Sequence, residues 1–164
     1  MNKNENFSGI HGETLNRQMM ELLGVYSDAI KLLRISDTEF WIWYTLLTME
    51  GEHTQQEICH MWSLRKQTVN TVITRLRLKK FISLEIIPHT RNHKIIRLTE
   101  AGKSYGQNLI LPITQAQEKA FAKISPDELS LAIGILENYI TTVKGALDAT
   151  VPPCEKFDVK NTRC

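Results

Sequence analysis

Between residues 54 and 98 the hydrophobic period changes once, and that change limits the folds open to the chain more than any other feature. Thr54 opens a capping box, TQQE, for a short helix through Glu57, Ile58 and Met61. The segment Trp62-Ser63-Leu64 then turns into a longer helix of about 65–80, with an apolar stripe at Val69, Val72, Ile73 and Leu76. After it the runs FISLEII (81–87) and KIIRL (94–98) are strand-like, separated by the turn-like PHTRNH. A short helix, a tight turn, a helix and a hairpin form a winged helix-turn-helix pattern.

Charge is segregated onto the same stretch. The chain of 164 residues has a net charge of only +2, but residues 63–97 hold nine Lys and Arg against one acid, Glu85, a local charge of +8. The remainder carries −6, so the low total conceals a surface suited to a polyanion. On the longer helix the face opposite the apolar stripe presents Gln67, Asn70, Thr71 and Thr74, short polar side chains without a negative charge. A helix fits the major groove of DNA, where Asn and Gln can pair with adenine and Thr can meet the thymine methyl. Arg65, Lys66, Thr68 and Arg75 at the helix start and margins, with Arg91, Asn92, His93 and Lys94 on the hairpin, are the candidate phosphate and minor-groove contacts.

The flanking sequence is helical. Residues 13–35 carry apolar positions at helical spacing, including Leu15, Met19, Leu22, Tyr26, Ile30 and Leu33. SDTE (36–39) supplies a capping box for a strongly aromatic helix of about 37–50, with Phe40, Trp41, Trp43 and Tyr44, which Gly51 ends. Thr99 caps a long helix with Pro112 inside it, where the ring should introduce a kink. SPDE (125–128) starts a last helix whose seam is Leu129, Ile133, Leu136, Ile140, Val143 and Leu147, and Pro152-Pro153 stop it. The predicted class is mainly α with a small β-hairpin wing. A winged helix-turn-helix domain is expected over 36–99 and a helical dimerisation layer over 13–35 and 100–150, with a disordered tail at 1–12 and a flexible tail at 151–164.

On these residues the sequence resembles the MarR (multiple antibiotic resistance regulator) family of bacterial transcription factors. The matching stretches are TQQEICHMWSLRKQTVNTVITRLRLKK, KIIRLTEAGKSYGQNLILPI and SPDEL, and the similarity extends over about residues 13–148. The resemblance implies a homodimer joined through the helical layer, with Leu15 and the seam Leu129 to Leu147 at the dimer interface. It implies a repressor that reads a palindromic double-stranded DNA operator and is released by a small, often aromatic, effector. Met19, Tyr26, Trp41, Trp43 and Tyr44 are the candidate pocket for such an effector, with core packing as the competing role. Two positions depart from the family pattern. Thr90 and Asn92 stand where the wing tip often has an aspartate and an arginine, and Phe81 stands where a glycine usually ends the recognition helix.

Other classes find less support. No GxSxG, HExxH or phosphate-binding glycine loop occurs, so no enzymatic activity, cofactor or metal is expected. Glu57 with His60 is a two-ligand pair on an amphipathic helix, more often surface than metal site. Cys59, Cys154 and Cys164 form no CxxC motif and point to a reduced compartment. The N-terminal residues lack the apolar core of a secretory signal, and no run is long enough to span a membrane, so a cytoplasmic protein is expected. The alternatives to DNA reading are a winged helix used only for protein contacts and a thiol- or metal-responsive regulator of the same fold.

Overall fold

A computed structural model describes residues 3–86 and 94–151, with side chains from residue 11 onward. Among the described residues six helices and one hairpin follow in order: α1 (Lys3–Leu32), α2 (Asp37–Thr48), α3 (Gln55–Met61), α4 (Lys66–Leu78), β1 (Ile82–Ile86), β2 (Lys94–Leu98), α5 (Glu100–Phe121) and α6 (Pro126–Thr150). They fall into two compact units, Met1–Ala116 and Gln117–Cys164. The first helix starts at Lys3, ahead of the start near residue 13 expected from periodicity. The wing tip, including Arg91, Asn92 and His93, lies outside the described residues, as do Cys154 and Cys164.

In the first unit the core gathers side chains from every element. Ile30 of α1, Phe40, Ile42 and Trp43 of α2, Ile58 of α3 and Ile110 and Ile113 of α5 surround the complete stripe Val69, Val72, Ile73 and Leu76 of α4. The hairpin pairs Ile82 with Leu98 and Leu84 with Ile96 in antiparallel register. A third segment joins its edge, since the Ile96 N–H donates to the His53 carbonyl at 2.9 Å and Thr54 bridges Ile95. That edge sets the start of α3 against the wing.

Local signals settle the helix ends. Thr54 and Glu57 form the reciprocal capping box that TQQE predicts, which commits the Glu57 carboxylate to the cap. SDTE forms only half of its box. Ser36 Oγ accepts from the Glu39 N–H at 3.2 Å, but the Glu39 carboxylate turns away to the guanidinium of Arg75. The aromatic helix stops at Thr48 with Met49 as its cap, and Gly51, at φ +98°, serves the following turn.

The turn of the helix-turn-helix closes with Ser63 in the left-handed region at φ 51°. The Leu64 N–H donates to the Cys59 carbonyl at 2.9 Å, the six-to-one bond of a Schellman end. The end of α4 repeats this device and corrects the expectation for Phe81. The left-handed residue is Lys80 (φ 60°), one position earlier, with its N–H on the Arg77 carbonyl at 2.9 Å. Phe81 takes the next position, its N–H bonded to the Leu76 carbonyl at 3.0 Å. Its ring turns inward, stacked on Tyr105 at 4.6 Å and set edge-on to Trp43 at 6.0 Å. An aromatic residue fits there because the position after the left-handed one makes the apolar contact of such an end.

α5 begins where that end is fastened. Thr99 Oγ1 accepts from the Gly102 N–H at 3.0 Å and shares its single proton between the Lys80 and Phe81 carbonyls, at 2.8 and 3.2 Å. Gly102 lies so close to this backbone that a Cβ would stand 1.9 Å from the Phe81 oxygen. The helix then runs without interruption through Pro112.

In the second unit, Ser125 and Glu128 form the second predicted capping box at the start of α6, with Pro126 in the first turn. The box holds the Glu128 carboxyl below the usual carboxylate range, first through its bond from the Ser125 hydroxyl. No residue of α6 is buried. Among the described residues no helix is long and apolar enough to cross a membrane.

Candidate nucleic-acid interface

With its stripe buried, α4 turns Gln67, Asn70, Thr71 and Thr74 to solvent, and all four are exposed. Thr71 Oγ1 donates to the Gln67 carbonyl at 3.0 Å, so its hydroxyl proton is used within the helix. Arg65 precedes the first turn without a side-chain cap, leaving the first N–H groups of α4 open to an acceptor from outside. Arg65, Lys66 and Thr68 are exposed beside them.

A groove of about 420 Å³ runs along this helix between α3 and the base of the wing. Thr54, Gln55 and Gln56 form one wall, Lys66, Asn70, Thr74 and Arg77 the floor, and Leu84 and Lys94 the far side. Of the residues singled out from sequence, Lys66, Asn70, Thr74 and Lys94 therefore meet in one place. Gln67, Thr68 and Thr71 are exposed but do not line it. Gln55, Gln56 and Arg77 are additions that the sequence reading missed. Arg77 was within reach of it, since it stands three residues after Thr74 and seven after Asn70, the spacing of one helix face.

The electrostatics divide the cations. Arg75 is bonded to the buried carboxylate of Glu39. Arg97 bridges Glu85, at 2.8 Å, and Glu52, which together hold its guanidinium above its ordinary value. Two cations of the basic segment are thus balanced inside the domain, and the uncompensated charge is smaller than the sequence count. Among the described residues, Arg65, Lys66, Arg77, Lys79, Lys80 and Lys94 have no acidic partner. Three of these, Lys66, Arg77 and Lys94, line the groove.

No protein-family model and no curated protein matches this chain. Solved structures do. A MarR family regulator from Neisseria meningitidis is 26% identical, with a TM-score of 0.75 over 84% of this chain and 96% of that one. The chain shares the winged-helix fold of this MarR family regulator. Staphylococcus aureus MepR in its DNA-binding conformation shares the fold at 15% identity, with a TM-score of 0.65 over 81% of this chain and 98% of that one. Bordetella bronchiseptica BpsR does so at 19% identity and a TM-score of 0.56, over 78% of this chain and 96% of that one.

In this chain the aromatic residues of α2 divide between two places. Trp41 stacks on Trp62 at 4.2 Å and tilts against Tyr26 at 6.0 Å, while Tyr44 meets Trp62 edge-on at 5.8 Å. Trp62 Nε1 donates to Thr45 Oγ1 at 2.7 Å, tying the turn before α4 to α2. Trp43 is fully buried on the other side, against Phe81 and Tyr105. A cavity of about 360 Å³ between α1 and α2 is lined by Met20, Leu23, Gly24, Tyr26, Ser27, Ile30, Asp37 and Trp41. Tyr26 and Trp41 of the expected pocket are there; Met19, Trp43 and Tyr44 are not, and Met20 and Leu23 take their places.

The residues expected at a dimer interface are open to varying degrees. Leu15, Leu129 and Val143 are half-buried, whereas Ile133, Leu136, Ile140 and Leu147 are exposed. Burial pushes the Cys59 thiol up, against a smaller opposing effect of Lys66, which disfavours a reactive thiolate.

Proposed function

We propose that the chain is a sequence-specific, double-stranded DNA-binding transcriptional regulator that works as a homodimer. The observation that carries this reading is the groove on α4, where uncompensated Lys66, Arg77 and Lys94 surround the short polar side chains of Asn70 and Thr74. Cations at the margins neutralise phosphates whatever the sequence, while Asn and Thr on the outward face of a helix read base edges. The apolar side chains left open on α6 support a dimer, because a helix with that seam gains stability by covering it with a second copy. MepR, of the same fold, has been solved as a DNA complex.

The regulator acts as a repressor that a small apolar or aromatic effector releases from its operator. The cavity between α1 and α2 supports this: its volume falls within the range of small-ligand sites, and Tyr26 and Trp41 line it beside the single acid Asp37. BpsR, of the same fold, has its DNA binding regulated by 6-hydroxynicotinic acid.

The test is a salt series on two duplexes, one selected by the protein from a random pool and one of mixed sequence. Arg77→Ala should weaken both alike and reduce the slope of log affinity on log salt by about 0.9. Asn70→Ala should weaken the selected duplex alone, by about 1 to 3 kcal/mol if the contact is bidentate. Equal losses on both duplexes for Asn70→Ala would remove the base-reading role. Absence of binding at low salt would overturn the regulator reading altogether.

A further inference from the structure

The two margins of the α4 reading face are not alike. At about 100° per residue, Lys66 and Arg77 fall along one margin and Thr68 and Arg75 along the other. The first pair lines the groove. The second margin holds Arg75 and, one turn on at the helix end, Lys79; of these Arg75 is bonded to Glu39, whose side chain is 7% exposed against 48% for Arg75. Glu39 stands in the first turn of α2, where its N–H donates to Ser36 Oγ. The sequence pattern would return its carboxylate to the Ser36 N–H, as the Glu57 and Glu128 carboxylates return to theirs. It reaches Arg75, thirty-six residues away, instead. A carboxylate buried to this degree needs a cation or several donors, and Arg75 answers that need from the reading helix itself.

We infer that Glu39 is a specificity-determining positioning residue: by holding Arg75 against α2 it keeps that guanidinium off the DNA backbone and fixes the rotation of α4 about its axis. This rests on the proposed DNA-binding function. Each additional free cation beside the reading face strengthens binding to every sequence alike, which lowers the ratio between selected and mixed DNA. Glu39 touches no DNA in this arrangement. It acts through Arg75, which contributes to the pose of α4 and not to the phosphate count.

Glu39→Gln keeps the shape and an acceptor while removing the charge. On a mixed-sequence duplex its salt slope should steepen by about 0.9, the value of one added phosphate contact, with a several-fold gain in affinity. Its preference for the duplex selected by the wild type should fall several-fold. Arg75→Gln should leave the slope on mixed DNA at the wild-type value, and the double variant should return to it. Circular dichroism establishes that each variant is folded, and the Arg75→Gln arm decides the question even if Glu39→Gln does not fold. A slope reduced by about 0.9 in Arg75→Gln would mean that Arg75 already contacts a phosphate, which overturns the inference. So would an unchanged slope and preference in folded Glu39→Gln. Failure of the wild type to bind with any salt dependence is a separate result: it removes the DNA-binding function before any variant is compared.

Discussion

Gly102→Ala tests how the end of α4 is fastened. The added Cβ would stand 1.9 Å from the Phe81 oxygen and 2.7 Å from its carbon, whereas ordinary contact begins at 3.4 Å. Relief therefore requires the two backbones to part by about 1.5 Å, and neither is free to do so. The Phe81 carbonyl accepts from the Thr99 N–H at 3.0 Å and from its hydroxyl, and the Phe81 ring stacks on Tyr105. Losing two hydrogen bonds costs about 2 kcal/mol and disturbing the stacked pair about 1, less a few tenths from the better helix propensity of alanine. A net loss of about 3 kcal/mol should lower the melting temperature by roughly 6 to 12 °C in a chain of this size. Gly145→Ala provides the internal comparison, since nothing lies within 4 Å of its Cβ. In mid-helix that change should stabilise by up to about 1 kcal/mol, a rise of roughly 2 to 4 °C. Thermal melts followed by circular dichroism separate the two cases. A Gly102→Ala variant that melts with the wild type, or above it, would refute the close-approach argument.

Lys80→Gly should raise the melting temperature, because a lysine in the left-handed region costs about 1 kcal/mol that glycine does not incur; a lower melting temperature would contradict the Schellman assignment. The depressed Glu128 carboxyl has a definite sign in its linkage to pH. A group held below its unfolded value stabilises at neutral pH, and that contribution disappears as pH falls through the folded value. The difference in melting temperature between wild type and Glu128→Gln should therefore be present near pH 7 and shrink below the usual carboxylate range. A difference that is constant across an acid series would remove the capping box as its cause.

Local patterns carried most of the fold. The stripe Val69, Val72, Ile73 and Leu76 is buried throughout, and TQQE and SPDE both form their boxes. These signals act over three or four residues, so the chain states them directly. Contacts between distant residues were not legible. Nothing near Glu39 announces a partner at position 75, and the SDTE pattern pointed to a nearer one. The departure at Phe81 was visible as an anomaly, but its resolution depends on Tyr105 and Trp43, which the fold brings to it. Tyr26 and Trp41 of the expected pocket line the cavity between α1 and α2, and Trp43 lies elsewhere for a reason that was available. Trp41 and Trp43 are two residues apart on a helix, about 200° around the axis, and cannot share one face. The wing-tip residues Arg91, Asn92 and His93 lie outside the described residues.

The pose of α4 is set at three places, none of them on its reading face. Ahead of the helix, Trp62 Nε1 bonds Thr45 and the left-handed Ser63 closes the turn. Along its flank Arg75 is held by Glu39. Behind it Lys80 turns the chain so that Phe81 can lie against Tyr105 under the first turn of α5. Thr45 and Glu39 both belong to α2, so the front and flank anchors refer the helix to one rigid body. Gln67, Asn70, Thr71 and Thr74 take no part in these anchors, which leaves their chemistry open to change at little cost in stability. Changes at the anchors act in the opposite way. They tilt or rotate the whole polar face, and a displacement of about 1 Å at a base edge moves a hydrogen bond out of its range. For a DNA-reading helix this separates two kinds of variant: those on the face alter which sequence is preferred, and those at Glu39, Trp62 or Gly102 alter how sharply any sequence is preferred.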